Sequence, residues 1–147
     1  MPIGSELDEA VLRRVRDSFD RQGLMAHLGA SVSEIRRGLV TLTLPFRPEL
    51  TQQHGYFHAG GTSAIADSAG GYAGFTLFPD ESSVLTVEFK LNLINPARGD
   101  RLEATGRVIK PGRTLTICQL DVWAVHGEVR SHCATGLQTL MRVAGTV

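Results

Sequence analysis

The sequence predicts an α+β fold, an antiparallel sheet wrapped around one long central helix. Three observations carry that expectation. Residues 60–77 form a helix built almost wholly of small residues, with apolar positions on both sides. After Pro79-Asp80 the hydrophobic period drops to two and stays there through four stretches separated by tight turns. Two further alternating stretches precede the helix. A sheet of six strands cannot cover its own edges with one helix, so edge-to-edge pairing of two subunits is expected.

The elements follow in chain order. Leu7, Val11, Val15 and Phe19 recur every four residues, which predicts an amphipathic helix over 5–22, and Ser5 with Asp8 approximates a capping box. This helix reads as a lid or packing element. Residues 29–37 and 39–45 read as strands about Gly38, with Val40, Leu42 and Leu44 alternating with threonines. Pro45 and Pro48 stop the second, and residues 47–59 form a loop rich in Gln, His and Gly. Beyond the helix, Leu85, Val87, Phe89, Leu91 and Leu93 alternate with Thr86, Glu88, Lys90 and Asn92. That pattern puts Thr86 on the polar side of its strand. Turns at 95–100, Pro111-Gly112 and His126-Gly127 separate the remaining strands.

Length and composition bound the function. The 147 residues suit one domain, 1–147, with a core over 24–142. Lys+Arg and Asp+Glu are both 15, so there is no basic excess for nucleic acid or a membrane surface. No apolar run approaches a membrane span, and the N-terminus has no secretory pattern, so a cytoplasmic protein is expected. Cys118 and Cys133 suggest reduced thiols, and their spacing offers no metal motif.

Within the helix, Gly60, Ser63, Ala64, Asp67, Gly70, Gly71 and Gly74 fall within about 60° of one line. Asp67 is the one large polar group on that stripe, roughly 10 Å along the helix from Gly60. Glycine inside a helix costs about 1 kcal/mol relative to alanine, so three of them after Asp67 imply close approach of a backbone or a ligand. A helix start offers unpaired N–H groups and a partial positive charge. A carboxylate further along can act there as base or nucleophile. The competing reading is a partnered core acid on a helix that merely lies tight against its sheet.

The ordered motifs resemble the PaaI-like (phenylacetic acid degradation) group of hot-dog-fold acyl-CoA thioesterases. That group carries Asn-x₅-His-Gly-Gly-x₆-Asp, matched here by Gln52, His58, Ala59, Gly60 and Asp67. Thr86, the turn Pro96-Ala97-Arg98-Gly99-Asp100 and the hairpin Gly112-Arg113-Thr114 continue the match. The resemblance implies a hot-dog fold and hydrolysis of an aromatic or medium-chain acyl-CoA in a homodimer or dimer of dimers. Coenzyme A is then part of the substrate and no cofactor is needed. It also implies a helix-start amide on the thioester carbonyl and an aspartate acting across the dimer. Gln52 stands where asparagine is usual, and Ala59 where the first glycine is usual, so the oxyanion donor is Ala59, Gly60 or both.

Catalytic candidates are therefore Asp67, Gln52, His58, Ala59, Gly60 and Thr86. Arg98, Arg113 and Gly112 are candidates for binding coenzyme A phosphates, which suit arginine forks. His58 could instead only fix the helix start, Thr86 could be plain surface, and both arginines could be solvated. His54 reads as a loop residue, and Tyr72 and Trp123 as packing. A non-catalytic acyl-CoA sensor is the alternative on the same fold, though no DNA-binding segment accompanies it. A dehydratase is disfavoured by the spacing of His58 and Asp67.

Overall fold

Asp8, not Ser5, starts the first helix. The computed structural model describes residues 1–145. It places α1 at Glu9–Asp20, with the Asp8 carboxylate accepting from the Val11 N–H at 2.9 Å. Ser5 instead donates its hydroxyl to the Pro2 carbonyl. The expected 5–22 helix is thus shorter, and a separate α2, Gly23–Leu28, follows it. Gly29, at φ 84°, closes α2 in the left-handed conformation that glycine tolerates. Val15 and Phe19 are the buried pair of α1. Arg14 crosses to the far end of the central helix, where its guanidinium donates to the Phe75 and Phe78 carbonyls at 2.9 and 3.0 Å. A helix end leaves such carbonyls unpaired and favours a cation, so α1 is pinned there by chemistry as well as by packing.

The central helix, α3, spans Ala59–Phe75, ending earlier than 77 because Thr76 caps it by donating its hydroxyl to the Ala73 carbonyl. The strands are β1 Ser31–Arg36, β2 Leu39–Pro45, β3 Ser82–Leu93, β4 Arg101–Lys110, β5 Leu115–His126 and β6 Val129–Ala144. All neighbours are antiparallel, in the order β1-β2-β4-β5-β6-β3. The long helix carries the chain from β2, near one side of the sheet, to β3 at the opposite edge. Alternate residues of each strand form the inner face: Val40, Leu42 and Leu44, then Leu102 and Ala104, then Cys118, Leu120 and Val122, all buried against Ile65, Ala69 and Ala73 of α3. Burying such apolar side chains supplies about 1.5–3 kcal/mol each for the larger ones. No helix among the described residues is long and apolar enough to cross a membrane.

The glycines of α3 divide by what they face. A Cβ at Gly106 of β4 would strike the backbone of Gly70 and Ala69, so helix and strand touch main chain to main chain. A Cβ at Gly70 would strike Gln138 and Leu120, and one at Gly74 would strike Leu140. Gly71 meets nothing within 4 Å. Two glycines of the stripe therefore serve the sheet, and one is left facing open space.

Gly106→Ala tests this contact. The obstacle is backbone and cannot rotate away, so the loss should lie near the upper end of overpacking costs, about 3 kcal/mol. The melting temperature should fall by roughly 5–10 °C. A variant melting within a degree of wild type would show that α3 does not rest on Gly106.

Candidate active site

The loop before α3 is built to present the helix start. A short 3₁₀ turn at Pro48–Leu50 and a bridge between Thr51 and Phe57 fold it back on itself. Gly55, at φ 85°, makes the tip possible. Inside the loop, the Gln52 carbonyl oxygen Oε1 accepts from the His54 and Tyr56 N–H groups at 2.6 and 3.3 Å. The turn thus consumes Oε1 and leaves the Nε2 amide of Gln52 with no partner among the described residues. His54 contributes only its backbone to this arrangement.

His58 is the N-cap of α3. Its Nδ1 accepts from the Gly60 N–H at 2.7 Å, so its ring proton sits on Nε2. This engages Gly60 and narrows the choice between the two helix-start donors. The Gly60 N–H is taken, whereas the Ala59 N–H has no partner among the described residues. Beside it lies a cavity of about 420 Å³ lined by Gln52, Tyr56, Phe57, Ala59, Thr62, Leu93, Ile94 and Cys133, among others. Its walls are mostly apolar. Thr62 adds a buried hydroxyl with no hydrogen-bond partner, a polar group that the sequence reading did not single out.

Asp67 lies elsewhere, half-buried in a separate groove of about 600 Å³ whose walls include Ser18, Gln22, Ser68, Gly71, Tyr72 and Thr86. One carboxylate oxygen, Oδ1, accepts from the Thr86 hydroxyl at 2.6 Å and from the Gln138 amide at 2.7 Å. The other, Oδ2, has no partner among the described residues. Gln138 is the residue that sequence reasoning missed. The available signal was its parity: it stands between Ala134 and Leu140 on the core-facing side of β6, where an amide is unexpected.

Thr86 corrects a second expectation. Simple alternation grouped it with Glu88 and Lys90, facing outward. The pairing of β3 with β6 shifts register between Thr86 and Glu88, so Thr86 lies opposite Leu140 and Phe89 opposite Gln138. Val87 is the extra residue. Such an insertion flips the face of everything before it, and Thr86, still solvent-exposed on this edge strand, is directed at Asp67 rather than away from it.

The expected set is therefore only partly assembled within one chain. Ala59 and Asp67 stand eight residues apart on one helix, about 12 Å, and line different clefts. Arg98 follows Pro96 and Ala97 of the helix-start cavity and is exposed. Its loop is tied down by Asp100, whose carboxylate accepts from the Gly127 amide and is held below the usual carboxylate range by that bond first and by His126 and Arg101 as well. Gly112 and Arg113 sit past the other end of β4, roughly 30 Å from the Arg101 end.

Residues 54–131, more than half of the chain, match the Thioesterase superfamily. A crystal structure of a thioesterase family protein from Silicibacter pomeroyi is 47% identical, with a TM-score of 0.90, and covers 92% of this chain and 99% of that one. A Halobacterium salinarum protein named as a candidate esterase is 30% identical over 124 residues, 81% of each chain. The Escherichia coli PaaI protein from the phenylacetic acid degradation operon, 18% identical, shares the fold, with a TM-score of 0.83 over 96% of this chain and 99% of that one.

Neither cysteine supplies a thiolate near these clefts at neutral pH. Burial pushes the Cys133 thiol up to about 11 and Cys118 to about 12. A thiol reagent at pH 8 should leave the native protein unlabelled and modify both residues after denaturation. Rapid native labelling of Cys133, read by mass spectrometry, would contradict its burial.

Proposed function

The chain belongs to the thioesterase superfamily and is a thioester hydrolase, and we propose that its substrate is an aromatic or medium-chain acyl ester of coenzyme A. The observation that carries the site assignment is how hydrogen bonds are divided. At the helix start the Gly60 N–H is held by His58, and the Ala59 N–H has no partner among the described residues. At the carboxylate, Oδ1 is held by Thr86 and Gln138, and Oδ2 has no partner among the described residues. A free donor beside a mostly apolar cavity suits a thioester carbonyl. A free carboxylate oxygen suits a water molecule or the carbonyl carbon.

In this reading the carbonyl oxygen accepts from the Ala59 N–H, and the positive end of α3 stabilises the charge that develops on it. The Gln52 Nε2 amide helps place the carbonyl or the water. Asp67 Oδ2 takes a proton from water as its oxygen bonds to the carbonyl carbon. The C–S bond then breaks, and the electron pair leaves on sulfur, which is a good leaving group because free thiols ionise near 8.5. Direct attack by Oδ2, followed by hydrolysis of the anhydride, uses the same atoms. Thr86 holds Oδ1, and His58 holds the helix start.

Two chains are required, because one helix cannot bring Ala59 and Asp67 to a single carbonyl. The proposed assembly is a homodimer, alone or within a dimer of dimers, in which the free edge of β3 meets a second copy. Arg98 lies at the helix-start end and is suited to coenzyme A phosphates. Gly112 and Arg113 can serve the same ligand only from the other subunit.

Asp67→Asn removes the base and keeps the shape. Hydrolysis of acyl-CoA esters, followed by thiol release across a panel of acyl groups, should fall by about 10²-fold or more. Near-wild-type turnover in the folded variant would sink the assignment, and the panel's ranking identifies the acyl group.

Ala59→Pro deletes the free donor. Residue 59 is the first helical position, where proline is well tolerated, and His58, at φ −66° and ψ 141°, already has the conformation that precedes proline. The variant should fold and lose about 10²–10³ in kcat. Refolding it with an equal amount of Asp67→Asn should restore about one quarter of wild-type activity, since half the dimers are mixed and half the sites in those are intact. No recovery in dimers verified as mixed would place both groups in one chain's site and reject the shared arrangement.

A further inference from the structure

We infer that Gln138 is a positioning residue for the reacting carboxylate, an inference that rests on the reading of Asp67 as base or nucleophile. Its Nε2 donates to Asp67 Oδ1 at 2.7 Å and to the Asp67 main-chain carbonyl at 3.0 Å. Both partners are pure acceptors, so the amide is oriented with its NH₂ toward Asp67 and its oxygen away. One donor thus ties the side chain of Asp67 to its own backbone. Thr86 meets the same Oδ1 from the opposite strand, and the Thr86 hydroxyl lies 3.4 Å from Gln138 Nε2. Two donors on one oxygen leave the other as the only site for a proton or an electrophile. Oδ2 has no partner among the described residues, and Asp67 is half-buried in the lining of its groove.

The arrangement carries a cost to stability. Gln138 is 1% exposed, and its Oε1 is buried with no partner among the described residues. That oxygen occupies the space a Cβ at Gly70 would fill, so the amide also demands a glycine in the middle of α3. An apolar side chain of the same shape would remove the cost of the orphaned oxygen but would also withdraw a donor from Asp67, so the two effects on stability oppose each other. A buried polar group kept under those conditions points to the carboxylate it aims.

The test is Gln138→Met, made in the wild type and in Asp67→Asn, with kcat, KM and melting temperature measured on one acyl-CoA ester. In the wild type, kcat should fall by about 10- to 100-fold, as for loss of a hydrogen bond to a charged group, while KM stays within about threefold. The melting temperature should stay within a few degrees of wild type, because the lost hydrogen bond and the removed orphaned oxygen offset each other. In Asp67→Asn the same change should lower kcat no further, because the carboxylate it positions is gone. An unchanged kcat in the wild-type background, or an equal fold loss in both backgrounds, overturns the inference. If Gln138→Met does not fold, the Gln138 side-chain amide of the unmodified protein is read by NMR. A slowly exchanging Nε2–H whose shift moves in Asp67→Asn supports the assignment, and exchange at the rate of a free amide overturns it. Retained turnover in Asp67→Asn removes the underlying reading as well. An inactive Asp67→Asn beside a fully active Gln138→Met removes only the role of Gln138.

Discussion

The crossing of α3 over β4 at Gly70 and Gly106 places everything else in this molecule. With side chains absent on both partners, the helix backbone rests on the strand backbone. Only at that separation can an amide rooted on β6 pass beside the helix and reach Asp67. The same closeness sets which helical faces remain free: Gly70 and Gly74 are spent on the sheet, while Gly71 opens onto the groove beside Asp67. A helix lifted by one methyl would weaken the core and withdraw Gln138 from the carboxylate. Stability and site geometry in this hot-dog fold therefore depend on one contact.

The second constraint is the rigidity of α3 itself. A helix holds its start and its middle at fixed separation, and here the two groups proposed to react lie about 12 Å apart along it. No loop motion brings them together. A carbonyl bound at Ala59 needs a carboxylate from outside its own helix, and a water held at Asp67 needs a donor from outside as well. The capping bond from His58 sharpens the division. By engaging the Gly60 N–H it leaves the Ala59 N–H as the helix-start donor without a partner among the described residues.

Much of the fold was legible because the hydrophobic period changes so plainly. Six strands, one buried small-residue helix and an amphipathic N-terminal helix are all present, with boundaries moved by a few residues. The errors have particular physical causes. Asp8 rather than Ser5 caps α1, because cap choice depends on which side chain reaches the Val11 N–H, not on spacing alone. Thr86 was grouped with outward residues because alternation assumes an unbroken pleat, and the register shift at Val87 breaks it. Gln138 escaped notice because a single amide on a core-facing strand position carries no motif. It gains meaning only when β6 lies beside α3. Thr86 thus entered the candidate site only through family resemblance, and Gln138 not at all.

The two edges of the sheet bear on which surface completes the site. β1 exposes Ser31, Ser33, Glu34 and Arg36 and carries a register shift between Val32 and Glu34. Charge and irregularity are the usual guards against unwanted strand pairing. β3 has its own register shift, but its exposed residues include Leu85, Val87, Phe89 and Leu93, at 42–57% accessibility. A long apolar edge left open in this way invites aggregation unless a specific partner covers it. The guarded edge is far from Asp67, and the unguarded one carries Thr86. Any chain that pairs with β3 must therefore arrive beside the carboxylate, and two-fold symmetry makes each copy present to the other what it receives. In the proposed dimer, edge protection and the second helix start converge on one strand.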